Sequence, residues 1–242
     1  RRYRRVLRTV LTDHEASLRR VTEELRGLQA RAREQDVVML FFAGHGITEG
    51  TDGEPRYYFL PAGARVTDLE RTALRGEALF SLVSGLRAES VVLFLDTCKA
   101  GASPAQVRLL ERLRTQSGLV VFSASQANRP SLESGRWQNG AFTRAIVEGL
   151  GGAADVRGDG RVTASSLESY LGRRVKELTA GDQEPTTIKA SSDLWLAWNR
   201  PQWYRRWWVW TLVGTVAAGG VVGGALGAAL HTQREVVPAT WP

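Results

Sequence analysis

SVVLFLDTCKAG, residues 90–101, carries an unbroken apolar run into Asp96, Thr97 and the only cysteine of the chain, Cys98. A short run rich in Val and Phe, apolar at successive rather than alternate positions, suits a strand covered on both faces. Three more stretches share the pattern: DVVMLFFAG (36–44), RYYFLPA (56–62) and GLVVFSAS (118–125). Helical patterns lie between them. Leu18, Val21, Leu25 and Leu28 share one face of a helix ending near Arg33, and Leu79, Leu82, Val83 and Leu86 share another. Strands alternating with helices predict an α/β fold, a mostly parallel sheet flanked by helices. A helix over 141–150 and another over 166–178 follow, the second with Ser165 and Glu168 at capping-box spacing.

Composition narrows the function classes. The chain has 242 residues, 43% hydrophobic and 24% charged, enough for one sizeable domain plus an appendage. One cysteine excludes an internal disulfide framework and a cysteine-built zinc cluster, and it fits a reducing compartment. The net charge of +7 comes from arginines scattered through helical segments, with no aromatic-basic stacking platform, so no nucleic-acid partner is expected. The chain opens on RRYRR with neither methionine nor signal peptide, which predicts a piece of a longer protein.

In open α/β sheets, sites form beyond the carboxyl ends of the strands. Two runs end in chemically active residues on that rim: 36–44 leads into Gly44-His45-Gly46, and 90–97 leads into Cys98. A free cysteine is among the most buried residue types, so packing is one role open to Cys98; the other is nucleophile. A histidine between two glycines makes a poor core residue, and the glycines let a substrate backbone come close. An ordinary thiol is mostly protonated at neutral pH, so a nucleophilic cysteine needs an imidazole to draw off its proton. His45 could then return that proton to a leaving amine. The backbone N–H groups of Gly46 and Cys98 are the oxyanion donors available at this rim, and Lys99 adds a positive charge beside the sulfur.

FFAGHG followed by DTCKAG, with His45 and Cys98 53 residues apart, resembles the His and Cys motifs of caspase and metacaspase-like cysteine peptidases, whose histidine lies about 50 residues upstream of the nucleophile. The likeness runs over residues 9–190, through TVLTDHEAS, YYFLPAGA, VVFSASQANRPSLE, NGAFTRAIVEGL and DGRVTASSLESYLGRRVKELT. It implies a caspase-haemoglobinase fold, a Cys98/His45 catalytic dyad, and peptide-bond hydrolysis with no cofactor and no metal. It also implies that the family's first core strand belongs upstream of TVLTD, ahead of Arg1. Many bacterial relatives carry His and Ser after the cysteine, where this chain has Lys99 and Ala100. That departure keeps open a second reading, a catalytically inactive scaffold or interaction module.

Asp96 precedes Cys98 by two positions and so shares its side of an extended strand. In metacaspase-like relatives the matching acid lines the primary specificity pocket and selects Arg or Lys before the scissile bond. The resemblance therefore implies a protein or peptide substrate with a basic residue at that place. Glu133 reads either as a second acid of that pocket or as a solvated loop carboxylate. The arginines at 108, 112 and 114 fall where related proteases are processed. DVRGDGRV (155–162) has the start of a calcium-loop pattern but puts Arg157 and Ser166 at ligand positions, and reads as a turn.

Residues 207–230 contain no charged side chain, and 24 residues at the helical rise span about 36 Å, enough to cross a hydrocarbon core of about 30 Å. Trp203, Tyr204, Trp207, Trp208 and Trp210 form an aromatic belt at one end, beside Arg200, Arg205 and Arg206. The expected organisation is a peptidase domain over 1–198, a basic and aromatic juxtamembrane segment over 199–206, a single transmembrane helix over 207–230 and a short tail over 231–242. Positive-inside reasoning places the domain on the cytoplasmic side of a cell membrane. Overlapping small-xxx-small spacings at Gly219, Gly220, Gly223, Gly224 and Gly227 would suit a homodimer through that helix.

Overall fold

The computed structural model describes residues 5–50, 55–98, 118–124, 140–189 and 193–199, with the backbone alone at Cys98. All of them belong to the first of two units, Arg1–Arg200 and Pro201–Pro242, into which the chain divides. In order, the main elements are α1 (Leu18–Arg31), β1 (Val37–Glu49), β2 (Arg56–Leu60), α2 (Leu69–Thr72), β3 (Leu74–Arg75), α3 (Gly76–Ser84), β4 (Ser90–Cys98), β5 (Leu119–Ser123), α4 (Ala141–Glu148), β6 (Arg161–Thr163), α5 (Ala164–Leu178), β7 (Thr186–Lys189) and β8 (Trp195–Trp198).

The main sheet has the order β3-β2-β1-β4-β5-β7. Its centre is parallel, β1 with β4 and β4 with β5, while β2, β3 and β7 join antiparallel. The expectation of a mostly parallel sheet is thus corrected to a mixed one. The antiparallel strands are short or polar: TTIK of β7 is half-buried along its length, and the far half of β1 reads GHGITE. Neither gives the unbroken apolar run by which a doubly covered strand is recognised.

Two cores lie on the two faces of this sheet. On one, Val38, Leu40 and Phe42 of β1 and Val91, Leu93 and Leu95 of β4 pack with Val21 and Leu25 of α1 and Leu79 and Val83 of α3. This confirms the helical faces read from the apolar spacing, except that α3 ends at Ser84, so Leu86 packs on the core from beyond the helix. On the other, Val92, Phe94, Val120 and Phe122 meet Phe142, Ala145 and Ile146 of α4 and Leu167, Leu171 and Val175 of α5. Phe94 stacks on Phe122 at 5.1 Å. Burying each such side chain contributes roughly 1.5–3 kcal/mol. β1 departs from the doubly covered pattern: Met39 and Phe41, facing this second side, are 43% and 48% exposed.

α5 starts two residues earlier than its apolar pattern suggested, and its cap differs. Thr163 is the N-cap, its hydroxyl accepting from the Ser166 N–H while Ser166 Oγ accepts from the Thr163 N–H. Ser165 instead donates its backbone N–H to the Asp193 carboxylate at 2.8 Å. α4 ends at Glu148 and passes into one wide turn over Gly149–Ala153, short of the expected 150. In DVRGDGRV the Asp155 carboxylate accepts from the N–H groups of Gly158, Asp159 and Gly160, so the loop caps itself.

Glu148 ties α4 to α5. It accepts from Arg174 Nε at 2.7 Å, from Arg144 Nε at 2.8 Å and from the Tyr170 hydroxyl at 3.0 Å. Hydrogen bonds from Arg174, then Arg144 and Tyr170, outweigh desolvation and hold its carboxyl at about 2. A folded-state value below the unfolded one gives stability that is present above the unfolded value and lost as pH falls toward the folded one. Screened by solvent, the contribution is about 1 kcal/mol. We expect Glu148→Gln to melt lower than wild type at neutral pH. The gap in Tm should close as pH drops from about 4.5 toward 2; a gap independent of pH would assign the loss to packing instead.

Candidate active site

β1 changes partners at His45. Residues 37–45 run parallel to β4, with His45 opposite Cys98 in the last described pair of that ladder. Residues 45–49 run antiparallel to β2, with His45 opposite Leu60. The histidine expected beyond a strand end therefore lies within a longer strand, at the residue shared by the described β4 and β2 pairings. Its side chain is exposed. Adjacent strands are about 4.8 Å apart, so the backbones of His45 and Cys98 are immediate neighbours.

The glycines on either side of His45 have separate structural reasons. Gly44 has φ +152°, a conformation that L side chains rarely adopt, with the Phe59 ring beside it. Gly46 is buried, and a Cβ there would fall 2.4 Å from the Tyr57 hydroxyl oxygen and 2.7 Å from its ring. Tyr57, 4% exposed, uses this gap to reach β4, where its hydroxyl donates to Thr97 Oγ1 at 3.1 Å. Reading both glycines only as room for a substrate thus missed a tyrosine. No local signal reveals it, because the approach depends on the β1–β2 register.

Asp96 lies two positions before Cys98 and opposite Ala43. It is 8% exposed, and its carboxylate accepts from the Thr143 hydroxyl in the first turn of α4. A Cβ on Gly140, the residue before that helix, would stand 3.2 Å from Asp96 Oδ2. An anionic group is favoured at a helix start, where N–H groups lack partners within the helix. Thr143 was not legible as a site residue, since its contact with Asp96 spans 47 residues.

Of the residues singled out from sequence, the structure brings His45, Gly46, Asp96 and the Cys98 backbone together at the carboxyl end of β4. Glu133, Lys99, Ala100 and the arginines at 108, 112 and 114 lie outside the described residues, as does the expected transmembrane segment 207–230. No helix among the described residues is long and apolar enough to cross a membrane.

The family model for the caspase domain matches residues 5–193. The crystal structure of protein GSU0716 from Geobacter sulfurreducens is similar with a TM-score of 0.56 and 18% sequence identity, over 78% of this chain and 80% of that one. At that identity the likeness speaks for the fold. None of the curated proteins compared with the chain matches it. The family match takes in every described strand up to β7 as well as both halves of the His45–Cys98 pair, and so the chain belongs to the caspase-domain family of cysteine peptidases.

Proposed function

We propose that the chain is a cysteine endopeptidase that cuts after Arg or Lys, with Cys98 as nucleophile and His45 as general base and acid. The pairing of His45 with Cys98 across the β1–β4 ladder carries this reading. In the reaction, His45 takes the thiol proton and the thiolate adds to the scissile carbonyl. The N–H groups of Gly46 and Cys98 are the donors proposed for the resulting oxyanion. Imidazolium then protonates the leaving amine, the acyl-enzyme forms, and a water activated by His45 releases the carboxylic acid. The basic preference rests on Asp96, a carboxylate beside the nucleophile of the kind that pairs with a guanidinium or ammonium, with Glu133 as a second acid. The departure at Lys99 and Ala100 favours the alternative, an inactive scaffold. A membrane tether over 207–230 is supported by its length and flanking residues, and flotation of the whole chain with lipid vesicles tests it.

A positional peptide library on the whole chain, with Cys98→Ala as blank, tests activity and preference together. Arg or Lys should dominate before the cut, and Asp96→Asn should lower kcat/KM for those peptides by roughly 30-fold or more. Turnover confined to peptides with Asp before the cut would overturn the specificity. Equal signal from wild type and Cys98→Ala would leave the scaffold reading standing.

A further inference from the structure

Below the His45–Cys98 pair, on the face packed by α1 and α3, one side chain crosses three strands. Tyr57 starts from β2 opposite Thr48, passes under Gly46 of β1 and bonds Thr97 of β4. Burial pushes its phenol up to about 12, so the group remains an O–H donor throughout the working range of pH. Both partners are buried, Thr97 at 7% exposure. Thr97 faces opposite to its chain neighbour Asp96, as strand alternation requires. Tyr57 therefore cannot touch a substrate held over His45.

Side-chain hydrogen bonds fix the position of one strand against its neighbours in addition to the backbone ladder. Among the described residues the β1–β4 ladder runs as far as His45 with Cys98, and the residue just before Cys98 on β4 is the one Tyr57 holds. A nucleophile and its base must stay within hydrogen-bond reach, and a shift of about 1 Å can cost roughly 100-fold in rate. We infer that Tyr57 is a positioning residue for the dyad, its hydroxyl fixing Thr97 and through it the backbone of Cys98 relative to His45. This rests on the peptidase reading above. The glycine after His45 gains a purpose from it, since any larger residue would close the path that Tyr57 takes.

The test compares Tyr57→Phe, Thr97→Val, their double variant and Thr97→Ser in the whole chain, measuring kcat and KM on an Arg-containing peptide alongside Tm. Tyr57→Phe keeps the ring and removes only the hydroxyl. We expect each of the first two to lower kcat roughly tenfold with KM within about twofold. The double should be no worse than either single, because both break one contact. Thr97→Ser, which keeps the acceptor, should recover most of the rate. A lowered Tm with kcat unchanged would make the contact purely structural and overturn the inference, as would losses that multiply in the double variant. A wild type that cleaves no peptide sinks the peptidase reading, and this inference with it.

Discussion

Replacing either His45 or Cys98 by alanine should lower kcat/KM for an Arg-containing peptide by roughly 10⁴-fold, with the two losses far from additive. The size follows from their joint use. Without the imidazole the thiol keeps its proton at neutral pH, and without the sulfur the imidazole has nothing to activate. Removing both should therefore cost little more than removing one. His45 is exposed on the sheet, so His45→Ala should leave Tm within a degree or two, and a loss of activity with an unchanged melting curve would be chemical rather than structural. An active His45→Ala would show that another group serves as base.

The second large effect is on stability. Gly46→Ala should destabilise the fold by about 1–3 kcal/mol, because its new methyl would sit 2.4 Å from the Tyr57 hydroxyl oxygen and 2.7 Å from the ring. Tyr57 is buried among Phe42, Phe59 and Leu74, so its ring cannot swing into solvent, and moving it breaks the bond to Thr97. Peptidase activity should fall with it. Gly172→Ala is the matching control: that glycine lies within α5 with open space where a Cβ would be, and the change should stabilise by about 0.5–1 kcal/mol. Urea midpoints of the two variants should move in opposite directions. A Gly46→Ala variant as stable as wild type would mean that Tyr57 has room to yield.

The parallel centre of the sheet was legible in the sequence because its runs are apolar at successive positions. Boundaries expected at 90–97 and 118–125 fall within two residues of β4 at Ser90–Cys98 and β5 at Leu119–Ser123. The run at 56–62 likewise marked β2, Arg56–Leu60, though not its antiparallel direction; the other antiparallel margins were not legible. The second half of β1 alternates small and polar residues around His45 and resembles a loop until its pairing with β2 is seen. β7 and β8 have four residues each, too few to show a period. The small sheet of β6 and β8 is likewise a product of tertiary contact, with Arg161 over the Trp195 ring at 4.7 Å. At the candidate site, motif and spacing were enough to single out His45, Asp96 and Cys98 as neighbours on adjacent strands. Tyr57 and Thr143 were invisible because each contributes through a partner at least 40 residues away, at Thr97 and Asp96.

Because Cys98 is the only cysteine, its reactivity can be followed without interference. The most direct measurement is the rate at which iodoacetamide labels the folded protein across pH, in wild type and in His45→Ala. Wild type should label quickly near neutral pH and His45→Ala should label slowly there, catching up only near the ordinary thiol range of about 8.5. Identical profiles for the two, or labelling of wild type only after unfolding, would contradict a working His45–Cys98 pair.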